Sequence, residues 1–342
     1  MRQDTRIQAR ELLSAGHVTR LDALAEIRDT TDHNGVRVID VRLAGGLSFE
    51  VLPQRGLDIS SLWHHGSPVP WRSTLPSAQC DVPSPGAGFL SRFKGGMLVT
   101  CGLDNVGPER DGHPLHGTHT HTTASDVRYT RELVGEDIVV SVTGLMASME
   151  LFGRRLTVER RIVARTGIPR LEVIDHICNE GPQPAPVALL YHVNFGAPFL
   201  DEGTRVEVEA AEIRPRDEGM AADSAARFPA STSCLDEAVF EHVLPGGRVT
   251  VSPQHGGVAT VDWKVATLPR LFQWVWPAAG GWALGIEPSN SPLFGDDRNL
   301  PYAGAPVLEP GESLETGFSL DFSVHNDGND DRDHDFEGTY PQ

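Results

Sequence analysis

Residues Val187 to Phe195 read VALLYHVNF. Alternation over this stretch puts Val187, Leu189, Tyr191, Val193 and Phe195 on one face of a strand, and Ala188, Leu190, His192 and Asn194 on the other. A histidine and an asparagine thus project from one side of an otherwise apolar strand. Burying such groups is costly unless they find hydrogen-bond partners or a ligand. A core histidine with its hydrogen bonds satisfied is the plain alternative.

Outward from this strand, the same period recurs along most of the chain. LSFEVLP (47–53) and LDISSLW (57–63) flank the turn Gln54-Arg55-Gly56. DIVVSV (137–142), RRLTVERRIV (154–163), RLEVIDHI (170–177) and RVEVEA (205–210) follow. GRVTVSP (247–253), GVATVDW (257–263), LFQWVWP (271–277), WALGIEP (282–288) and LETGFSLDFS (314–323) complete the series. Short strands punctuated by Gly, Pro and Asp predict an all-β antiparallel sandwich or barrel. Residues 5 to about 27 are the exception. Ile7, Leu12, Leu13, Leu21, Leu24 and Ile27 recur loosely at helical spacing, with Gly16 as a break, so 1–30 is expected to be a helical segment. Residues 64–90 read as a long loop, and 211–245 as an irregular connection. With no fixed repeat and no clean linker, 1–324 is expected to be one domain. The end of the chain, 325–342, has the acidic composition of a solvated tail and is expected to be dispensable for folding and turnover.

The 342 residues carry a formal charge of −18, which disfavours nucleic acid and anionic membranes as partners. Lys94 and Lys264 are the only lysines. Cys80, Cys101, Cys178 and Cys234 are widely spaced and form no CxxC pair, which suits a reducing cytoplasm. The N-terminal MRQDTRIQAR has no apolar signal-peptide region, and no apolar run is long enough for a membrane-spanning helix.

Four units could carry chemistry. On the second strand of interest, Glu287 shares its face with Ala283 and Gly285, leaving room above the sheet for a ligand beside a carboxylate. In RFKGGMLVTCGLDNVG (92–107), Lys94 precedes a Gly-Gly pair and Asp104-Asn105 follows a short apolar run, as a pocket wall would require. HPLHGTHTH (113–121) places four histidines in nine residues, with His119 and His121 expected on one strand face. It lacks HExxH spacing and a nearby cysteine ligand, so a sugar-binding His116 is favoured over a metal centre. Arg55 and Asp58 could form a turn ion pair or an anion clamp. Gln273, Trp274 and Trp276 lie on one strand, and these tryptophans, with Trp71, could offer stacking faces to a sugar. No GxSxG elbow, P-loop or GxGxxG fingerprint occurs.

LPQRGLDI (52–59), FKGGMLVTCGLDNVG (93–107), PLHG (114–117), LLYHVNFGAPFLDEG (189–203) and GIEPSN (285–290), in this order, resemble the aldose 1-epimerase (galactose mutarotase) superfamily, and within it a bacterial branch. The resemblance implies a galactose mutarotase-like β-sandwich with a sugar in a cleft on one sheet. It implies His192 as general acid, Glu287 as general base and His116 as a sugar ligand, with no cofactor. Arg55, Asp58, Lys94, Asn105, Asn194 and Gln273 are further candidate sugar ligands. Lys94 stands where the hexose-phosphate branch carries an arginine and lacks its bidentate fork; Arg55 is an alternative guanidinium. The family's substrate-binding aspartate has three possible counterparts, Asp104, Asp201 and Asp262.

Such a pair suits mutarotation, in which a base takes the anomeric hydroxyl proton while an acid protonates the ring oxygen. The expected geometry is a gap of about one sugar ring between Glu287 and His192, without a direct hydrogen bond. The expected electrostatics is an upward shift of His192 from its usual pKa of about 6.5. A metal-assisted isomerase or lyase and a non-catalytic carbohydrate-binding protein are the competing functions.

Overall fold

The computed structural model describes residues 7–75, 86–234 and 236–324. The acidic tail at 325–342 lies outside the described residues, as does Cys80. In chain order the strands begin with β1 (Ala25–Thr31), β2 (Arg37–Leu43), β3 (Ser48–Leu52), β4 (Asp58–His64), β5 (Ser67–Pro68), β6 (Leu98–Leu103) and β7 (Ser125–Val134). They continue with β8 (Asp137–Met149), β9 (Arg155–Arg165), β10 (Ile168–Asn179), β11 (Ala185–Pro186), β12 (Ala188–Gly196), β13 (Arg205–Val208) and β14 (Glu212–Pro215). The last are β15 (Ala238–Val243), β16 (Arg248–Ser252), β17 (Gly257–Trp263), β18 (Arg270–Trp276), β19 (Ala283–Ser289), β20 (Val307–Leu308) and β21 (Ser313–Val324).

Two large antiparallel sheets result, and β11 pairs with β20 in a small third one. One runs β1-β2-β3-β4-β6-β12-β19-β18-β15-β14, with β5 paired to β4; the other runs β13-β16-β17-β21-β10-β9-β8-β7. The strand carrying VALLYHVNF sits in the middle of the first sheet, between β6 and β19, and all nine of its residues are buried. Its odd-numbered side chains, Tyr191, Val193 and Phe195, enter the main core with Val142, Ile162, Val173 and Leu320 of the second sheet. Its even-numbered Ala188 and Leu190 meet a smaller apolar layer made with Val99, Cys101, Phe272, Phe89 and Leu293. Phe89 and Leu293, from segments laid over the outer face of the first sheet, close that layer, so the strand is buried on both sides.

A buried polar network joins the two sheets. Arg160 Nε and Nη2 donate to the two oxygens of Asp175 at 2.8 and 2.6 Å, and its Nη1 donates to Asp58 Oδ1 at 2.9 Å. Tyr191 Oη donates to Asp175 Oδ2 at 2.7 Å. Thr100 N and Oγ1 and Thr120 Oγ1 supply the remaining bonds to Asp58. Burial alone would lower the Arg160 pKa, but Asp175 and Asp58 overcome it and push it up. Asp58 is raised by burial, which Arg160 and the threonines only partly offset.

The helical expectation at the N-terminus holds only for Ala9–Ser14 and a 3-10 turn at Leu21–Ala23; from Ala25 the chain is an edge strand paired with β2. Within 211–245, β14 and β15 extend the first sheet. Among the described residues no helix is long and apolar enough to cross a membrane. Among the described cysteines, Cys101, Cys178 and Cys234 are free.

Candidate active site

β12 and β19 are neighbours, and their register sets Val193 opposite Ile286 and Asn194 opposite Gly285. The same register brings His192 and Glu287 together on the outer face. His192 Nε2 lies 3.1 Å from Glu287 Oε1, and the two residues are 4% and 2% exposed. The expected sugar-wide gap is therefore replaced by direct contact. The electrostatics also differ. Burial lowers the His192 pKa well below its usual value, and His116 pushes it the same way. Burial raises Glu287 well above the usual carboxylate range, and Glu237 adds to this. Both shifts favour neutral forms. The state favoured by burial is thus a carboxylic acid against a neutral imidazole, holding one proton between them.

Gly285 explains how the two side chains fit. A Cβ there would lie 2.7 Å from Glu287 Oε1 and 2.9 Å from His192 Cε1. Gly285→Ala is expected to force the pair apart and lower turnover at least tenfold, on the order of 1.4 kcal/mol in barrier. Steady-state kinetics beside an unchanged circular dichroism spectrum would check this; parental turnover would refute it.

Aromatic rings frame the pair. Phe93, Trp274 and His116 have ring centroids 5.0, 5.5 and 6.2 Å from that of His192. Trp71 and Trp276 pack edge-on and stacked against Trp274, respectively. Trp274 Nε1 donates to Glu237 Oε2 at 2.7 Å, and Glu237 also accepts from Arg216 at 2.7 Å. His116 adopts a left-handed φ of 57°. Its Nδ1 accepts from Gly107 N at 3.3 Å, which assigns the proton to Nε2 and leaves that nitrogen as a donor. Burial lowers its pKa to about 4, so it is neutral near pH 7.

The remaining candidates divide. Asn194 lies beside His192 and partly offsets its downward shift, yet neither His192 Nδ1 nor Asn194 Oδ1 makes a well-formed hydrogen bond. Its amide nitrogen donates to Gly96 O at 2.8 Å and ties the Lys94 loop to β12. Lys94 is half-buried on that loop, next to Phe93. Arg55 is buried under the same loop, with Nη2 3.5 Å from Arg92 O.

Three candidates do not join the pair. Asp58 is committed to Arg160 and the threonines. Asn105 Nδ2 donates to the carbonyls of Gly107, Pro108 and Pro114 and fixes the loop that carries His116. Gln273 pairs in register with Ile286, so it faces the core, where it meets His242 Nε2 at 2.9 Å and donates to Ala225 O. The three aspartates are also engaged elsewhere: Asp104 with Thr118, Asp201 with Thr204, and Asp262 with Arg248. Glu237, whose charge reaches Glu287, was not legible: LDEAVF carries no motif, and its role comes from β15 lying beside β18.

The four histidines of HPLHGTHTH do not converge. His113 lies 3.3 Å from Asp104, His116 faces His192, and His119 is buried beside Gly56. His119–His121 form a 3-10 turn, so they do not share a strand face. Among the described residues no group of three or more His, Cys, Asp or Glu is gathered as a metal ion would require. His119 makes no hydrogen bond through either ring nitrogen. Burial depresses the pKa of His116, His119 and His242 from 6.5 to about 4. Because the folded value lies below the unfolded one, their contribution to stability is complete above about pH 6.5. It is lost as pH falls toward about 4, at about 1.4 kcal/mol per pH unit for each group. Thermal melts should drop across that window, and less steeply in His119→Leu; a flat profile would contradict the burial of neutral imidazoles.

A structure from Klebsiella pneumoniae, assigned as a candidate aldose 1-epimerase, superposes with a TM-score of 0.79 at 22% identity, covering 88% of this chain and 83% of that one. A galactose mutarotase-like protein from Clostridium acetobutylicum gives 0.60 at 14% identity, covering 89% and 100%. A candidate aldose 1-epimerase from Escherichia coli gives 0.58 at 16% identity, covering 85% and 100%. At these identities the likeness is one of fold. No curated protein matches by sequence. The model of one family, described as "Domain of unknown function (DUF4432)", matches residues 33–324. The chain therefore belongs to the DUF4432 family and has the galactose mutarotase-like β-sandwich fold.

Proposed function

We propose that this protein is an aldose 1-epimerase-like isomerase that interconverts sugar anomers by general acid–base ring opening and closing. The observation that carries the reading is the buried contact of His192 Nε2 with Glu287 Oε1 at 3.1 Å, on the outer sheet face and framed by Phe93, Trp274 and His116. A sugar entering there would separate the two groups and place its anomeric hydroxyl and ring oxygen between them. Parting the pair leaves its shared proton on His192 and Glu287 as the carboxylate; ring opening then takes a proton onto Glu287 from O1 and gives the one on His192 to O5. The pair is then carboxylic acid and neutral imidazole, the state that burial favours. Reclosure on the other carbonyl face reverses both transfers. One proton serves throughout, and no redox partner is required. His116 Nε2–H is a donor for a sugar hydroxyl, and Trp274 offers a face to the ring C–H surface. Lys94 and Arg55 are proposed as rim residues.

The one-proton pair sets the pH dependence. A second proton enters only below the lowered His192 pKa, and the single proton leaves only above the raised Glu287 pKa. Turnover should hold a broad plateau through neutrality and fall on both sides. A narrow optimum centred near pH 5.5, between unshifted carboxylate and imidazole values, would contradict the burial argument. The function itself is tested by polarimetry on freshly dissolved α-anomers of a panel of aldoses. Acceleration for at least one of them is expected, and rates equal to buffer for all would end the proposal.

A further inference from the structure

A cavity of about 290 Å³ opens on the outer side of the first sheet, away from the pair. Ala188 in its lining is on the same face of β12 as His192 but four residues along, about 13 Å. The rest of the lining comes from residues 104–113, the β8–β9 turn bearing Glu150 and Arg154, Pro186, Ser291 and residues 302–305. Asp104, with its side chain 2% exposed, is fixed there by Thr118, whose backbone N and Oγ1 both donate to its carboxylate at 2.9 Å. His113 Nδ1 lies 3.3 Å from Asp104, while Arg154 stands off at 3.7 Å from Asp104 and 3.8 Å from Glu150. At those distances the guanidinium is held by charge and donates no hydrogen bond; its Nε is buried without one. Tyr302, 59% exposed and at a left-handed φ of 54°, completes the lining.

Acceptors from Asp104 and Glu150, unspent donors on Arg154 and an aromatic surface at Tyr302 occupy one cavity. The opposed charges favour neither an anion nor a cation. The volume equals roughly ten waters, enough for one pyranose ring. Vicinal hydroxyls both donate and accept, which matches alternating carboxylate and guanidinium groups. We propose that this cavity is a second carbohydrate site, taking one neutral sugar ring, with Arg154 as its principal donor. It stands independently of catalysis at the His192–Glu287 pair.

Methyl glycosides of galactose and glucose test this without involving mutarotation, because they have no free anomeric hydroxyl. Calorimetric titration into the full chain is expected to show a site that survives in the His192→Asn/Glu287→Gln double variant. Arg154→Ala should weaken that site by about tenfold or more, and Tyr302→Ala, at an exposed position, should weaken it without affecting folding. Absence of binding by either glycoside, binding abolished by the double variant, or binding unchanged by both Arg154→Ala and Tyr302→Ala would each overturn the proposal.

Discussion

Glu287→Gln is expected to lower kcat for anomer interconversion by about 10²–10⁴-fold, the usual contribution of a positioned acid–base group. The amide has the shape of the carboxylic acid that burial favours at this position, and it can still hydrogen-bond His192 Nε2. It cannot take a proton from the anomeric hydroxyl. The loss should therefore fall on kcat, with KM changed little, and the melting temperature should stay at or above that of the parent. His192→Asn should show the same division, because the asparagine keeps polarity but cannot deliver a proton to the ring oxygen. A variant in which KM rises while kcat holds would mean that Glu287 binds sugar and does no proton transfer.

Arg160→Leu is expected to be the most damaging single change to stability, costing about 3–5 kcal/mol. Arg160 is fully buried and is the cation shared by two buried carboxylates, Asp58 and Asp175. Removing it leaves both without a counter-ion, and Tyr191, immediately before His192, loses a fixed partner. Urea melts should shift accordingly. Because the damage is the unpaired charge, adding Asp58→Asn and Asp175→Asn should recover part of the loss. An Arg160→Leu variant whose stability lies within about 1 kcal/mol of the parent would show that the network contributes little.

The fold was legible because strand alternation is local: VALLYHVNF, RRLTVERRIV and LETGFSLDFS each carry their own period. What failed was also physical. β1 exposes most of its side chains at a sheet edge, so its few apolar residues mimic helical spacing, and only pairing with β2 makes it a strand. β7 is similarly polar along its length. Within the site, His192 touches Glu287 and lies near His116, closer to Glu287 than the expected sugar-wide gap. Asp58 could not be read correctly, since its partner Arg160 is 102 residues away. Gln273 could have been: its period places it with Leu271 and Val275, facing the core. The contact between His192 and Glu287 depends on Gly285 and on burial from both sides, which alternation alone does not reveal.

In the proposed reaction one proton shared by His192 and Glu287 opens and recloses a sugar ring. Exchange NMR reads this directly, by magnetisation transfer between the α and β anomeric protons of an aldose at equilibrium with the protein. With an aldose that the polarimetric panel identifies, the parent is predicted to give rapid transfer that Glu287→Gln and His192→Asn each suppress by about 10²-fold or more. Anomeric exchange at the buffer rate with the parent protein, or equal exchange with all three proteins, would contradict the account.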